Sequence, residues 1–206
     1  MYLPTSPSAM VPLFNYLEQY HTISNEYKKA FEGQVYQVKI KKNKYLLSPI
    51  DQNACLYFLN SGIVRGFIKQ DTKDITTWFS FGNEIIGAIR NPDEQTINSH
   101  EYLQALQDCE LICIPYSFID ELYQNFPEAN IIGRKMLAIQ YYTASERSIL
   151  SRLPSAFDRY NNLMSKKNAN FNRVPLRCIA SYLGIRLETL SRLRKKGIDK
   201  NQNLLH

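Results

Sequence analysis

The sequence is poor in the residues that build metal centres, and it contains no long apolar run. Its three histidines are scattered, which argues against a zinc centre and a hydrolytic triad: His21, His100 and His206. Its four cysteines include no C-x-x-C pair, and buried thiols are the expectation for them: Cys55, Cys109, Cys113 and Cys178. No apolar segment approaches the roughly 20 residues that a membrane-spanning helix needs. We therefore expect neither a metal site nor a membrane span.

Signals for catalysis and for export are also missing. There is no glycine loop that could cradle a phosphate and no nucleophile elbow, so the chain is predicted not to be an enzyme. Residues 1–10 are polar and proline-bearing, and they lack the basic start of a signal peptide. The sequence therefore predicts a cytoplasmic protein.

Charge is distributed unevenly along the chain. Residues 131–206 hold 15 Lys+Arg against 4 Asp+Glu, whereas residues 1–130 hold 10 against 15. The net charge of +6 therefore combines an acidic front half of −5 with a basic back half of +11. This asymmetry favours nucleic acid as the partner of the basic half. An anionic membrane fits less well, because the basic half has no broad Trp/Phe/Leu face.

The most specific pattern in the basic half lies at residues 174–196. Apolar residues recur at helical spacing on both sides of Gly184, which supplies the left-handed conformation that commonly ends a helix. The second of these helices is predicted over about residues 187–196. The inward residues of the two helices are predicted to be Ile179, Ala180, Leu183, Leu190 and Leu193.

The outward face of the second helix carries Glu188 and Arg192, which are four residues apart and therefore neighbours. An arginine can pair with guanine and a glutamate can accept from cytosine in the major groove. The pattern predicts a helix-turn-helix that binds DNA sequence-specifically. A helical hairpin on the surface of an unrelated protein has the same pattern, and on this segment alone that alternative stays open.

Outside residues 174–196, the spacing of apolar residues predicts both strands and helices. Apolar residues alternate over about residues 33–114, which predicts the short strands of a sandwich, jelly roll or barrel. Helices are predicted over residues 13–20 and about 128–150. In the longer one, four residues are spaced four, three and four, as in a two-stranded coiled coil. We interpret them as a dimer interface, with packing on the chain's own sheet as the alternative: Ile132, Met136, Ile139 and Thr143.

Several phrases of the sequence resemble the bacterial Crp–Fnr superfamily, the relatives of the cyclic AMP receptor protein. The front half contributes YLLSPIDQNACLYFLNSGIVRGF (45–67), FGNEIIG (81–87) and YLQALQDCELICI (102–114). The back half contributes IASYLGIRLETLSRLRK (179–195), which is similar to the signature of the family's DNA-binding domain. The resemblance covers nearly the whole chain.

The resemblance implies an α+β fold in three parts. Residues 1–126 would form a β-roll or jelly-roll sensor domain of the cyclic-nucleotide-binding kind. Residues 127–153 would form a dimerisation helix and hinge, and residues 154–206 a helix-turn-helix DNA-binding domain. The family's β-hairpin wing is expected to be truncated or missing, because only GIDKNQNLLH follows Lys196 and it has few β-forming residues.

The resemblance also implies roles for residues of the second helix. The family pattern of Arg-Glu-Thr, three residues and Arg becomes Leu187, Glu188, Thr189 and Arg192. By resemblance, Glu188 and Arg192 would read bases. Leu187 replaces an arginine and could meet a thymine methyl, so a different half-site preference is expected. Phosphate contacts are expected from Arg186, Thr189, Ser191 and Lys195.

The family's cyclic-nucleotide pocket looks degenerate in this sequence. Its Gly-Glu pair reads Asn83-Glu84, and its Arg-Ser pair, whose arginine neutralises the cyclic phosphate, aligns with Ser99-His100. Residues 74–133 hold one basic residue against ten acidic ones. A buried phosphate needs a paired cation or several helix N–H donors. The candidate ligand-binding residues of this altered pocket are Asn83, Glu84, Arg90, Ser99 and His100.

Together these features predict a transcription regulator that binds a two-fold symmetric site on double-stranded DNA as a homodimer. RNA polymerase is a further candidate partner. No cofactor is expected, cyclic AMP is not expected as the effector, and no other effector is indicated. The alternative is a β-roll module that binds a small molecule while the C-terminal half is only structural.

The altered pocket generates the first prediction. Because the arginine that would neutralise the cyclic phosphate is absent, the protein should not bind cyclic AMP or cyclic GMP tightly. Isothermal titration calorimetry with both nucleotides checks this. Saturable binding in the micromolar range would contradict it.

Overall fold

The computed structural model describes residues 3–88, 99–166 and 170–202. Its front half is a roll of two antiparallel sheets with helices packed on the outside, and its back half is helical. One long helix connects the two halves. The α+β architecture predicted from the sequence is confirmed.

Nine strands form the sheets of the described chain. Their bounds are β1 Leu3–Pro4, β2 Tyr36–Ile40, β3 Tyr45–Leu47, β4 Cys55–Ser61, β5 Val64–Gln70, β6 Lys73–Ser80, β7 Glu84–Ile86, β8 Tyr102–Ala105 and β9 Cys109–Pro115. The first sheet has the order β1-β2-β9-β4-β7, and the second has the order β3-β8-β5-β6. Strand β6 therefore lies at the edge of the second sheet.

The space between the sheets is filled by the inward residues of alternating strands. In the first sheet Leu59 of β4 lies opposite Leu111 of β9, and both are fully buried. Leu103 of β8 meets them from the second sheet, in the same cluster of buried side chains. The period of two in the sequence thus places every second residue in the interior of the roll.

Seven α-helices and one short 3-10 helix complete the described fold. Their bounds are α1 Pro7–Glu18, α2 Asn25–Ala30, α3 Tyr116–Asn125, α4 Pro127–Arg152, α5 Ala156–Met164, the 3-10 helix Phe171–Arg173, α6 Leu176–Tyr182 and α7 Leu187–Gln202. The helix predicted over residues 13–20 in fact begins at Pro7. The Ser6 side chain accepts from the Ala9 N–H and Pro7 is suited to a first helical position, so the helix starts six residues earlier.

Helix α4 shows two different faces. Ile132 is 3% exposed in the core that α1, α2 and α3 build on the first sheet, and Met136 packs against the same core. Ile139 and Thr143, on the same side of the helix, line a cavity within the chain. At Ile132 and Met136 the structure therefore favours the alternative of packing on the chain's own sheet. Ile139 keeps 43% of its surface exposed, and for Ile139 and Thr143 the seam stays a prediction.

The turn between β4 and β5 has no room for a side chain. Gly62 adopts φ +105°, and a Cβ built on it would lie 2.5 Å from the Cys109 Sγ and 2.7 Å from the Asp108 carbonyl oxygen. Gly33 also has a positive φ, of +75°, but nothing lies within 4 Å of the position that a Cβ would take there. A side chain at Gly33 would therefore meet backbone strain alone, whereas a side chain at Gly62 would meet both backbone strain and steric overlap.

A matched pair of substitutions follows from these glycines. Gly33→Ala should cost about 1–2 kcal/mol of unfolding free energy, because only the left-handed conformation is penalised. Gly62→Ala should cost about 1–3 kcal/mol more, since the turn must also move away from the backbone of β9. Urea denaturation measures both. Equal losses for the two variants would show that overlap at Gly62 is relieved without cost.

Candidate nucleic-acid interface

Helices α6 and α7 form the predicted helix-turn-helix, and Gly184 makes the turn between them. Gly184 has φ +61°, its N–H donates to the Ser181 carbonyl oxygen at 3.1 Å, and the Ile185 N–H donates to the Ala180 carbonyl oxygen at 3.0 Å. This pair of hydrogen bonds is the Schellman arrangement that closes a helix C-terminus. The glycine predicted from the sequence to end the first helix therefore does so.

The inward side of this unit packs into a core of its own. Leu190 of α7 is fully buried against Ile179, Ala180 and Leu183, while Leu193 is half-buried. Burial of these residues fixes the rotation of α7 about its axis. The side of α7 opposite Leu190 must therefore face away from the domain.

The residues predicted to contact DNA lie on this outer side or at its border. Thr189 is half-buried, and the others are exposed: Arg186, Leu187, Glu188, Ser191, Arg192 and Lys195. Leu187 keeps 44% of its surface exposed, which is unusual for a leucine beside a packed core. The predicted contact residues of α7 thus lie together on its outer side or at its border, and Arg186 lies in the turn just before the helix.

The charges on this surface are not neutralised internally. Within the described residues, Arg186, Arg192 and Lys195 form no ion pair, and Glu188 is not paired with Arg192. Arg194 instead reaches back to the side-chain oxygen of Asn172, at 3.5 Å. Three cations therefore remain free to meet an anionic partner.

Helix α7 continues to Gln202, beyond the end predicted near residue 196. No strand follows α6 in the part of the chain that the structure describes. Residues 197–202, the start of the segment after Lys196, therefore extend the second helix.

The helix-turn-helix docks on the exposed edge of β6, a contact that sequence reasoning did not find. The Ser181 Oγ donates to the Asp74 carbonyl oxygen at 2.6 Å and accepts from the Thr76 N–H at 2.9 Å. Phe79 of β6 packs its ring 5.3 Å from Tyr182. Because these partners are about one hundred residues apart, no local sequence pattern could have revealed them.

The candidate pocket residues are not brought together as predicted. Glu84 begins β7 and lines the cavity beside α4, whereas Asn83 sits in the preceding turn at φ 52°. Neither Ser99 nor His100 is among the described residues that line this cavity. Arg90 lies outside the described residues. Neighbouring residues partly desolvate the Glu84 carboxylate and raise its pKa above the ordinary value, and hydrogen bonds from the Ser80 hydroxyl and the Phe81 N–H lower it in part.

A buried cation inside the roll also escaped the sequence reasoning. Arg65 of β5 is 5% exposed and donates to Gln104 at 2.8 Å, to Thr76 at 3.2 Å and to the Asp74 carboxylate at 2.6 Å. Its guanidinium carbon also lies 4.1 Å from the centre of the Phe67 ring. Arg65 is therefore held by the sheet itself and is not placed to neutralise a ligand phosphate.

Other kinds of site find no support in the described residues. No cluster of three or more His, Cys, Asp or Glu side chains there could hold a metal ion. All four cysteines are free thiols, three of them buried and Cys55 half-buried. No described helix is both long and apolar enough to cross a membrane.

Comparison with known proteins gives a clear answer for the fold. No protein-family model and no curated protein sequence matches the chain. Among solved structures, FixK2 from Bradyrhizobium japonicum is similar, with a TM-score of 0.69 and 16% identity over 81% of this chain and 86% of that one. A structure from Eubacterium rectale, described as a transcriptional regulator of the crp/fnr family, has a TM-score of 0.68 and 16% identity over 90% and 88% of the chains.

A third similar structure is the c-di-GMP-responsive global regulator CLP from Xanthomonas campestris. Its TM-score is 0.66 at 18% identity, over 86% of this chain and 93% of that one. The chain therefore has the fold of the Crp/Fnr regulators over most of its length.

Proposed function

We propose that this protein is a transcription regulator that binds DNA sequence-specifically through α7. One observation carries the proposal. The outer side of α7 presents an exposed leucine and cations without ion-pair partners, and the inner side of the helix is fixed by its packed core. An exposed helix side with these charges suits the major groove, which admits one α-helix. The likeness in fold to Crp/Fnr structures supports the same function.

The chemistry of the outer side divides into two tasks. Glu188 and Arg192 can read base edges, by accepting from cytosine and donating to guanine, and Leu187 can contact a thymine methyl. Arg186, Thr189, Ser191 and Lys195 are placed for phosphate contacts, which supply affinity that depends on salt but carry no sequence information.

We further propose that the protein acts as a homodimer, through the side of α4 that faces solvent. Four residues there repeat the four-three-four spacing of a coiled-coil seam: Ala138, Tyr142, Ser145 and Ile149. Tyr142 and Ile149 are 63% and 62% exposed, and the neighbouring Tyr141 is 77% exposed. Large apolar side chains grouped on one helix face mark an interaction surface. A second copy of α4 offers the complementary seam.

Such a dimer would present two copies of α7 to DNA. A two-fold symmetric site with half-sites about 34–36 Å apart is the expected target. RNA polymerase remains a proposed further partner. Cyclic AMP is not proposed as the effector, because Arg65, the buried cation of the roll, is already held by Asp74, Thr76 and Gln104.

Selection from randomised duplex DNA at about 150 mM salt tests the proposed function. The purified protein should enrich a two-fold symmetric motif without added effector. The Arg192→Ala variant should bind that motif about 1–3 kcal/mol more weakly and lose discrimination at one position of each half-site.

The matched control is Lys195→Ala on the same helix. A phosphate contact should weaken all sequences alike and lower the salt dependence of binding. If Arg192→Ala also weakens every sequence equally, Arg192 contacts only phosphate. Binding without enrichment of any motif would contradict sequence-specific recognition.

The dimer proposal has its own pair of variants. Ala138→Glu places two like charges at the centre of the proposed seam and should convert the dimer to a monomer. Thr143→Glu adds the same charge on the opposite side of α4 and should leave the dimer intact. Sedimentation equilibrium measures both. Dissociation by Thr143→Glu alone would restore the seam first predicted from the sequence.

A further inference from the structure

Two of the four cysteines are neighbours in the first sheet. Cys55 is the first residue of β4, and Cys113 lies in β9, the strand beside it. The strands are antiparallel, with Tyr57 opposite Cys113 and Cys55 opposite Pro115. Cys55 is therefore two positions from the residue that faces Cys113. Because side chains alternate along a strand, both thiols project from the same face of the sheet.

The two thiols are also in direct contact. Long side chains at diagonal positions of adjacent antiparallel strands come within reach of each other, and here a hydrogen bond joins the Cys55 and Cys113 sulfur atoms. Both side chains belong to the apolar cluster inside the roll, Cys113 as a buried member and Cys55 as a partly buried one. The fold therefore holds two reduced sulfur atoms side by side.

The surroundings of the two sulfur atoms differ. Cys113 is 1% exposed, whereas Cys55 is half-buried, so a solute reaches Cys55 first. The hydrogen bond from the Cys113 thiol lowers the pKa of Cys55, and partial burial counters this effect. The same contact, together with burial, raises the pKa of Cys113. The accessible sulfur is therefore the one that becomes a nucleophilic thiolate, and the buried sulfur keeps its proton.

The other two cysteines have different surroundings. The Cys109 Sγ donates to the carbonyl oxygens of Gln107 at 3.2 Å and Ile63 at 3.5 Å, and burial raises the pKa of this thiol. Cys178 is 1% exposed in the core of the helix-turn-helix. Structural thiols buried in this way are inert. They therefore serve as internal controls for any chemistry at Cys55.

We propose that Cys55 and Cys113 form a site of reversible oxidation, at which a hydroperoxide converts the two thiols to a disulfide. In the first step the Cys55 thiolate attacks one peroxide oxygen. An S–O bond forms, the O–O bond breaks, and the departing oxygen takes a proton from solvent. The sulfur is oxidised to a sulfenic acid, and the peroxide is reduced to an alcohol, or to water where the oxidant is hydrogen peroxide.

The buried thiol completes the reaction. The Cys113 sulfur attacks the Cys55 sulfur, an S–S bond forms, the S–O bond breaks, and the hydroxide leaves with the Cys113 proton as water. Because the two sulfur atoms are already in contact, this step needs no large movement of the backbone. A dithiol reductant reverses it by thiol–disulfide exchange and is itself oxidised to a disulfide.

Mass spectrometry of the full-length protein tests the proposal. The protein is treated with hydrogen peroxide, unfolded in denaturant and alkylated. The wild type should lose alkylation at two cysteines, and its digest should contain a peptide pair joined through Cys55 and Cys113. Dithiothreitol should restore alkylation at both. Cys109 and Cys178 should be alkylated to the same extent with and without peroxide.

Three variants separate the roles of the two sulfur atoms. In Cys113→Ala the sulfenic acid at Cys55 has no thiol to react with, so it should accumulate and be trapped by dimedone. In Cys55→Ser the buried Cys113 should stay reduced. Cys178→Ala is the matched control outside the roll, and it should form the disulfide as the wild type does. If Cys113→Ala does not fold, Cys55→Ser and the wild type still decide the outcome.

Three results would overturn the proposal. The first is a wild type that stays fully reduced at peroxide concentrations that oxidise N-acetylcysteine, while circular dichroism shows that it is folded. The second is oxidation of Cys109 or Cys178 to the same extent as Cys55. The third is as much dimedone adduct at Cys55 in the wild type as in Cys113→Ala, which would show that Cys113 does not react with the sulfenic acid. Each is read without DNA, so none can be confused with a failure of sequence-specific DNA binding.

Discussion

The uncovered edge of β6 is the constraint on which the arrangement of the two halves depends. An edge strand presents unpaired N–H and carbonyl groups, which proteins cover, bend or charge. Here α6 covers them, because the Ser181 hydroxyl satisfies the carbonyl of Asp74 and the N–H of Thr76 at once. The rings of Phe79 and Tyr182 seal the same contact. With α6 held there, the axis and the exposed side of α7 follow from the short turn at Gly184.

The same docking explains why a cavity exists beside α4. The helix covers the first sheet tightly near Ile132, but farther along it must pass between the roll and the docked helices. Ile139, Thr143 and Arg147 then line a cleft between the roll and the docked helices, and Ile139 keeps 43% of its surface exposed. The opposite side of α4 keeps its large exposed side chains. Different parts of the surface of α4 thus pack on the core, line the cavity and form the proposed dimer interface.

Contacts between residues close together in the sequence could be predicted, and contacts between residues far apart in the sequence could not. The turn at Gly184 and the burial of Leu190 involve neighbours within about fifteen residues, and periodicity predicted them. At Ile132 and Met136 the predicted seam was wrong for a different reason. Ile132, Met136, Ile139 and Thr143 have the same spacing as Ala138, Tyr142, Ser145 and Ile149, so spacing alone cannot say which stripe faces the roll. The pairing of Arg65 with Gln104, and of Ser181 with Asp74, needed the folded chain.

The position of the cations decides what the front half can recognise. A roll that binds a cyclic phosphate needs a buried cation with a free side, whereas Arg65 has three side-chain partners in its own sheet. Removing any one of them would leave a buried polar group or charge unsatisfied, so Arg65 cannot turn to a ligand without cost. Arg147 has no ion-pair partner among the described residues and stands at the junction of the two halves. Anion recognition through Arg65 would therefore cost the sheet its own hydrogen bonds.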